Sequence, residues 1–285
     1  MALEILIYGA VLSGIYALLA VGFALIFGVA RVVNLTHGAF YMLGAYTTYA
    51  LSVYTGLPMI LCILLGMAVV FVLALLLDRL VIEPIRSSMI NVLITTLALS
   101  LFADQAILQI FGPVNRNIPA LLEGRITILG VDIAGQRLLS LIISCVVIAA
   151  LWWIITRTKM GNALMATSQD PEAAQLMGID TRRMFMITMG VAAMMAALAG
   201  SIVGSFLTVQ PQMGMLPLIK AFTIVILGGL GSLGGSIVAA LLLGYLETMV
   251  AYLVSSNATE LVPLVVIFLT LVLRPSGLFG KRFEV

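Results

Sequence analysis

The chain has 285 residues, 62% of them hydrophobic and 9% charged, and its mean hydropathy is +1.22. Soluble domains carry about 25% charged residues, so a water-facing globular fold is excluded and the solvent for most of this surface is lipid. The net charge of +2 implies nothing by itself; where the charges fall along the chain does.

Apolar runs of about 20 residues recur, the length a helix needs to cross the hydrocarbon core. The period-2 alternation that a membrane barrel requires is missing, so the spans read as helices. The opening Met1-Ala-Leu-Glu4 lacks the basic region of a cleaved signal peptide, and its apolar run is too long for one, so it is kept as a first span. The pattern predicts helices near 5–29, 38–55, 59–77, 90–111, 138–156, 183–208, 217–231, 236–254 and 260–273. The fold class is therefore an all-α integral membrane protein, a polytopic helical bundle of about 8–9 transmembrane helices. The seventh and ninth spans are short for full crossings. Cys62 and Cys145 both fall in apolar runs and read as small core residues, with no disulfide or metal site implied.

In chain order, Gly9, Ser13 and Ala17 form a row of small residues on the first span, as Ala192, Ala196, Gly200 and Gly204 do on the sixth. Such rows let helix backbones approach closely in lipid, within a subunit or between subunits. The segment Arg31–Tyr41 is a polar interruption. Asn34, Thr36 and His37 either complete a short connection or face a translocation path. Asp104 and Gln105 lie well inside the fourth span, with Gln109 one turn on from Gln105. They are candidates for the same path or for bonds to neighbouring helices. Residues 112–137 form the longest outer connection, rich in Gly, Pro and Asn, with a short hairpin around Ile126–Ile128 as the alternative to a plain loop. Residues 157–183 are the one long polar stretch of the second half, basic at both ends. Gly228, Gly229, Gly231, Gly234 and Gly235 put five glycines in nine residues, a break between two short helices and a candidate hinge. Lys220 and Glu247 sit in apolar surroundings, and the sequence names no partner for either.

Lys and Arg set the orientation. With the N-terminus outside and the connections alternating, the cytoplasmic side receives Arg31, Arg79, Arg86, Arg157, Lys159, Arg182, Arg183, Arg274, Lys281 and Arg282. The outer side receives Arg116, Arg125, Arg137 and Lys220. Ten of the 14 cations are then inside, the bias expected of membrane proteins. This assignment treats 217–231 as a short but complete crossing; a re-entrant half-helix there would move the C-terminus outside.

No catalytic constellation is visible. His37 is the only histidine, so neither a zinc cluster nor a Ser-His-acid set can be assembled. The glycine stretch lacks the Lys-Ser/Thr and the preceding strand of a P-loop. The reading is a transport protein without catalysis of its own, needing no cofactor and no metal; uphill transport would draw its energy from a partner or from coupled ions. A secondary carrier coupled to ions is the rival from another class, and a passive channel a third.

Within 157–183, Asp170-Pro171 reads as an N-cap followed by proline at the first helical position, with Glu172 suited to the first turn and Gly178 to termination. Glu172-Ala173-Ala174, three residues, then Gly178 resembles the EAA loop of ABC-importer permeases, although the later Leu-Pro part of that pattern is absent. Gly161–Asp180, Val33–Tyr46, Ile226–Gly235 and the tail Leu273–Gly280 are together similar to branched-chain amino acid permeases of the LivH type, in the expected order along nearly the whole chain.

The resemblance implies a single transmembrane permease domain over 1–285 in the bacterial plasma membrane, with 157–183 as its cytoplasmic coupling segment. Asp170, Glu172, Ala173, Ala174 and Gly178 would meet the ATP-binding subunit. Implied partners are a second related permease, two ATP-binding subunits and a periplasmic or extracellular substrate-binding protein; nucleic acid is not among them. The implied substrates are leucine, isoleucine and valine, with urea, amides or other amino acids as alternatives.

Overall fold

The computed structural model describes residues 2–128 and 130–280; Lys281 and Arg282, counted above among the cytoplasmic cations, lie outside them. In a hydrocarbon solvent each backbone N–H and C=O must find its partner within the protein, and the chain answers with helices. In order these are α1 (Ala2–Ala30), α2 (Thr36–Thr55), α3 (Met59–Leu77), α4 (Glu83–Ile85), α5 (Met89–Phe111), α6 (Gly135–Arg157), α7 (Lys159–Gln169), α8 (Pro171–Leu176), α9 (Thr181–Val203), α10 (Met215–Gly228), α11 (Leu233–Leu253) and α12 (Leu261–Leu273). A π-helical turn, Asp78–Ile82, joins α3 to α4. Pro84 has no N–H to offer the carbonyl of Leu80, so the regular ladder cannot continue there.

Among the described residues seven helical stretches are long and apolar enough to cross a membrane. Helix α2 is 20 residues long but carries several hydroxyls and His37. Helix α10 has 14 residues, about 21 Å at 1.5 Å per residue against about 30 Å of hydrocarbon. Helix α9 ends at Val203 rather than near 208, and α10 ends at Gly228 rather than 231, where Gly229 takes φ 100°. The loop 112–137 does contain the hairpin: β1 (Arg125–Ile128) pairs antiparallel with β2 (Val131–Ala134), Ile126 opposite Ile133 and Thr127 opposite Asp132.

The chain divides into two compact units. The first comprises the residues up to Ala24, Leu122–Ile148 and those from Ile219 on; the second comprises Leu25–Leu121 and Ala149–Leu218. In the second unit α2 packs on α9 through the small-residue row. Gly44 lies against the backbone of Ala197, and Gly200 faces the carbonyl oxygen of Tyr41 so closely that a Cβ there would overlap it. Buried Ser201 and Thr48 bond to each other at 2.8 Å, and Ser201 donates to the Gly44 carbonyl at 3.1 Å. Beyond them Met42, Ala45, Tyr46, Ile107, Ile118 and Val209 form a closed apolar cluster. Arg116 exchanges two backbone hydrogen bonds with Val209 and donates from its side chain to the Phe111 carbonyl.

The first unit repeats the device. Gly9 admits the ring of Tyr245, and Gly244 admits Ser13, whose hydroxyl donates to the Leu241 carbonyl at 3.2 Å. Both small-residue rows are thus consumed by packing inside this chain. Leu61, Leu64, Leu65, Val69, Val72 and Leu76 on α3 stand exposed, as side chains facing lipid do.

Gly200→Val should therefore lower the stability of the detergent-solubilised protein by about 3 kcal/mol, because a backbone carbonyl cannot step aside, whereas Val72→Ala should change it by less than about 0.5 kcal/mol. Thermal unfolding of the two variants beside the parent checks both.

Candidate functional site

The polar segment 157–183 folds as two short helices and the beginning of the long α9, each started by a side chain. Thr158 accepts from the Gly161 amide at 3.1 Å and opens α7. Asp170 accepts from the amides of Glu172 and Ala173, both at 3.0 Å, and opens α8 with Pro171 at its first position. Asp180 accepts from the Arg183 amide at 3.1 Å and opens α9. Helix α8 closes on the Gly178 turn: Gly178, at φ 82°, donates to the Gln175 carbonyl at 2.9 Å, and Ile179 donates to Ala174 at 3.0 Å. That pair of bonds satisfies the last carbonyls of the helix. With both ends fixed, six residues hold a helix that would not persist alone.

Ala174 is buried and anchors α8, while Glu172, Ala173 and Gln175 face outward. Leu176 and Met177 stand 89% and 83% exposed at its tip. They are the most exposed large apolar side chains of the segment, ahead of Met165 at 46% and Met160 at 37%. In a chain this hydrophobic, two more apolar residues carry no signal in the sequence.

Arg31 ties this segment to the end of α1. Its backbone adopts φ 53°, and its guanidinium donates to the carbonyls of Ser168 at 3.2 Å and Gln169 at 3.1 Å. These are among the carbonyls left open at the C-terminus of α7, where the helix dipole favours a cation. Arg182 pairs with Glu83 and so holds the start of α9 to α4.

Three residues beyond Arg31, Asn34 and Thr36 are both buried. The Asn34 side-chain oxygen accepts from the Thr36 amide at 3.0 Å and from the Thr36 hydroxyl, and Leu35 donates to Thr96 at 3.2 Å. His37 is fully buried in the first turn of α2. Asn34 also lines a small cavity with Asp78, Arg86, Phe185, Thr188 and Met189. There the Arg86–Asp78 ion pair closes at 2.6 Å and the guanidinium lies 4.4 Å from the Phe185 ring centre. Asp104 is half-buried and Gln105 exposed, and neither lines that cavity. The structure groups Asn34, Thr36 and His37 and leaves the α5 pair apart from the cavity.

The glycines of 228–235 have specific duties. Gly229 and Gly231 take φ 100° and 81°, and Gly228 and Gly235 meet backbone to backbone. The tail seals this turn, with Leu278 donating to the Leu227 carbonyl at 2.7 Å and Phe279 to Gly228 at 3.1 Å. Ser232 accepts from the Gly235 amide and starts α11, which places Gly234 in its first turn. On either side of the turn the two charges without assigned partners find each other: Lys220 donates to Glu247 Oε2 at 2.8 Å and to the Tyr16 hydroxyl at 2.6 Å, and that hydroxyl donates to Glu247 at 2.5 Å. Opposite charges on the two helices that flank a turn are the sequence signal for this pair.

Seven apolar helical stretches of membrane-spanning length among the described residues define a multi-pass membrane protein. Residues 5–271 match the family model described as "Branched-chain amino acid transport system / permease component", and the chain belongs to that family. It is 28% identical over 96% of its length to the high-affinity branched-chain amino acid transport system permease protein LivH of Escherichia coli (strain K12), covering 94% of that protein. It is 28% identical over 98% of its length to BraD of Pseudomonas aeruginosa, with 96% of that protein covered. A solved structure, PsaBC from Streptococcus pneumoniae in complex with Fab, shares the fold at TM-score 0.54 and 14% identity, over 97% of both chains. The chain is thus a permease subunit of the ABC-importer class and not an enzyme.

Asp170→Ala should cost α8 about 1 kcal/mol and speed amide exchange at Glu172 and Ala173 about fivefold, while Asp170→Asn, an equal cap, should leave exchange unchanged. Hydrogen-exchange mass spectrometry of the purified protein reads both.

Proposed function

We propose that this chain is the membrane path of an ATP-driven importer of branched-chain amino acids, and that α8 is where an ATP-binding subunit pushes it. The permease-family match over 5–271 and the branched-chain amino acid transport of LivH and BraD support the cargo. The observation that carries the coupling role is a short helix capped at both ends with Leu176 and Met177 bare at its tip. Asp170 and Gly178 fix its ends, Ala174 anchors it, and Glu172 and Ala173 belong to its outward face. Arg31 and the Arg182–Glu83 pair carry its displacement toward the buried Asn34–His37 segment and toward α4.

In this reading the segment lies in the cytoplasm, with the N-terminus outside and the C-terminus inside the bacterial plasma membrane. The complex holds a second related permease and two ATP-binding subunits, where ATP is hydrolysed, and receives substrate from a periplasmic or extracellular binding protein. The turn at 228–235 is the proposed pivot between α10 and α11.

Uptake of labelled leucine by proteoliposomes holding all these subunits tests the assignment: it should require ATP and the binding protein, and uptake that persists after ATP depletion would count against it. Replacing both Leu176 and Met177 by Ser, or Glu172 by Lys, should leave the permease in the membrane and cut uptake about tenfold or more. Undiminished transport by these variants would remove α8 from the coupling role.

A further inference from the structure

The Lys220–Glu247–Tyr16 group is a costly thing to build in a hydrocarbon solvent. Tyr16 is the central residue of α1, Glu247 is 2% exposed on α11, and Lys220 reaches them from α10, all within the first unit. Ionisable groups at such depth mark functional sites more often than structural ones, since an apolar trio of the same volume would hold three helices together at no electrostatic cost.

The bonding of the group is also incomplete. Glu247 Oε2 accepts from both Lys220 and Tyr16, but Oε1 is buried with no hydrogen-bond partner among the described residues. A lysine ammonium has three N–H donors, and Lys220 uses two, on Glu247 and on the Tyr16 hydroxyl. Its side chain keeps 19% of its surface exposed against 3% for Glu247. The group therefore presents one open anionic acceptor beside one open cationic donor. An open buried carboxylate oxygen has lost its water and gained nothing in exchange until something donates to it.

We propose that this group is the point on the translocation path that recognises the charged ends of an amino acid: the substrate ammonium bonds to Glu247 Oε1, and the substrate carboxylate takes the free N–H of Lys220. Site and zwitterion are each neutral overall, so the passing substrate adds no net charge to the membrane interior. The Tyr16 hydroxyl, bonded to both side chains, holds their spacing. This inference rests on the amino-acid cargo proposed above.

The test uses the reconstituted complex with its binding protein, reading labelled leucine uptake and ATP hydrolysis in parallel. Glu247→Gln keeps the shape of the side chain and should cut uptake by about tenfold or more with ATP hydrolysis and complex assembly unchanged. The exchange Lys220→Glu with Glu247→Lys restores an ion pair but moves the open donor and acceptor, and should remain impaired. Recovery of uptake in the exchange variant would show that the pair is only a strut and overturn the proposal, as would normal uptake by Glu247→Gln. If Glu247→Gln does not assemble, Tyr16→Phe decides: a raised KM for leucine at unchanged ATP turnover supports the site, and an unchanged KM overturns it. A parent complex that imports urea or an amide but no amino acid overturns the cargo assignment itself and this inference with it, an outcome distinct from failure of the variants alone.

Discussion

Without water there is nothing to absorb an unpaired polar group, and that constraint organises this molecule. It forces the backbone into helices and leaves helix ends as the places where carbonyls and amides still need partners. Helix ends, exposed ones included, are answered by side chains: Thr158, Asp170, Asp180 and Ser232 at N-termini, Arg31 at the C-terminus of α7. The same constraint allows charges inside only as bonded sets, Asp78 with Arg86 and Glu247 with Lys220 and Tyr16.

Packing follows a second consequence. Lipid tails are as apolar as leucine side chains, so helices gain little from hiding large apolar groups from lipid, and association depends on close van der Waals contact and hydrogen bonds. Glycine and alanine at Gly44, Ala197 and Gly200 bring backbones together and let Ser201 and Thr48 bond across the α2–α9 contact. The large residues Leu61, Leu65 and Val69 remain outside. The usual soluble order of large inside and polar outside is thus partly inverted. Within each unit, small residues define the seams and buried charges are held in bonded sets.

The segment 157–183 joins these two themes. Its helix is too short to persist on propensity, and caps at both ends make it a rigid body. Arg31, in an unusual left-handed backbone, links the carboxyl end of α7 to the turn that carries Asn34. A displacement of α8 therefore has a bonded route into the buried part of the second unit.

Much of this was legible in order along the chain. Nine helices, α1–α3, α5, α6 and α9–α12, came from run length, and the ends of α8 from local chemistry, Asp170-Pro171 and Gly178. Residue order also determined the family, through stretches whose spacing follows from one chain making one set of turns. What could not be read were partners distant in sequence. The hairpin at 125–134, left open between loop and strand, needed cross-strand pairing to decide it. Asn34, Thr36 and His37 were recognisably polar, but only the fold shows Asn34 and Thr36 bonding to each other beside a cavity, away from Asp104 and Gln105. Lys220 and Glu247 were conspicuous as charges, yet their bond spans 27 positions and needs Tyr16 from 204 positions away. Local periodicity and capping act over a few residues and so are written in the sequence. A buried charge must be satisfied by whichever helix packs beside it, and only the tertiary structure decides which helix that is.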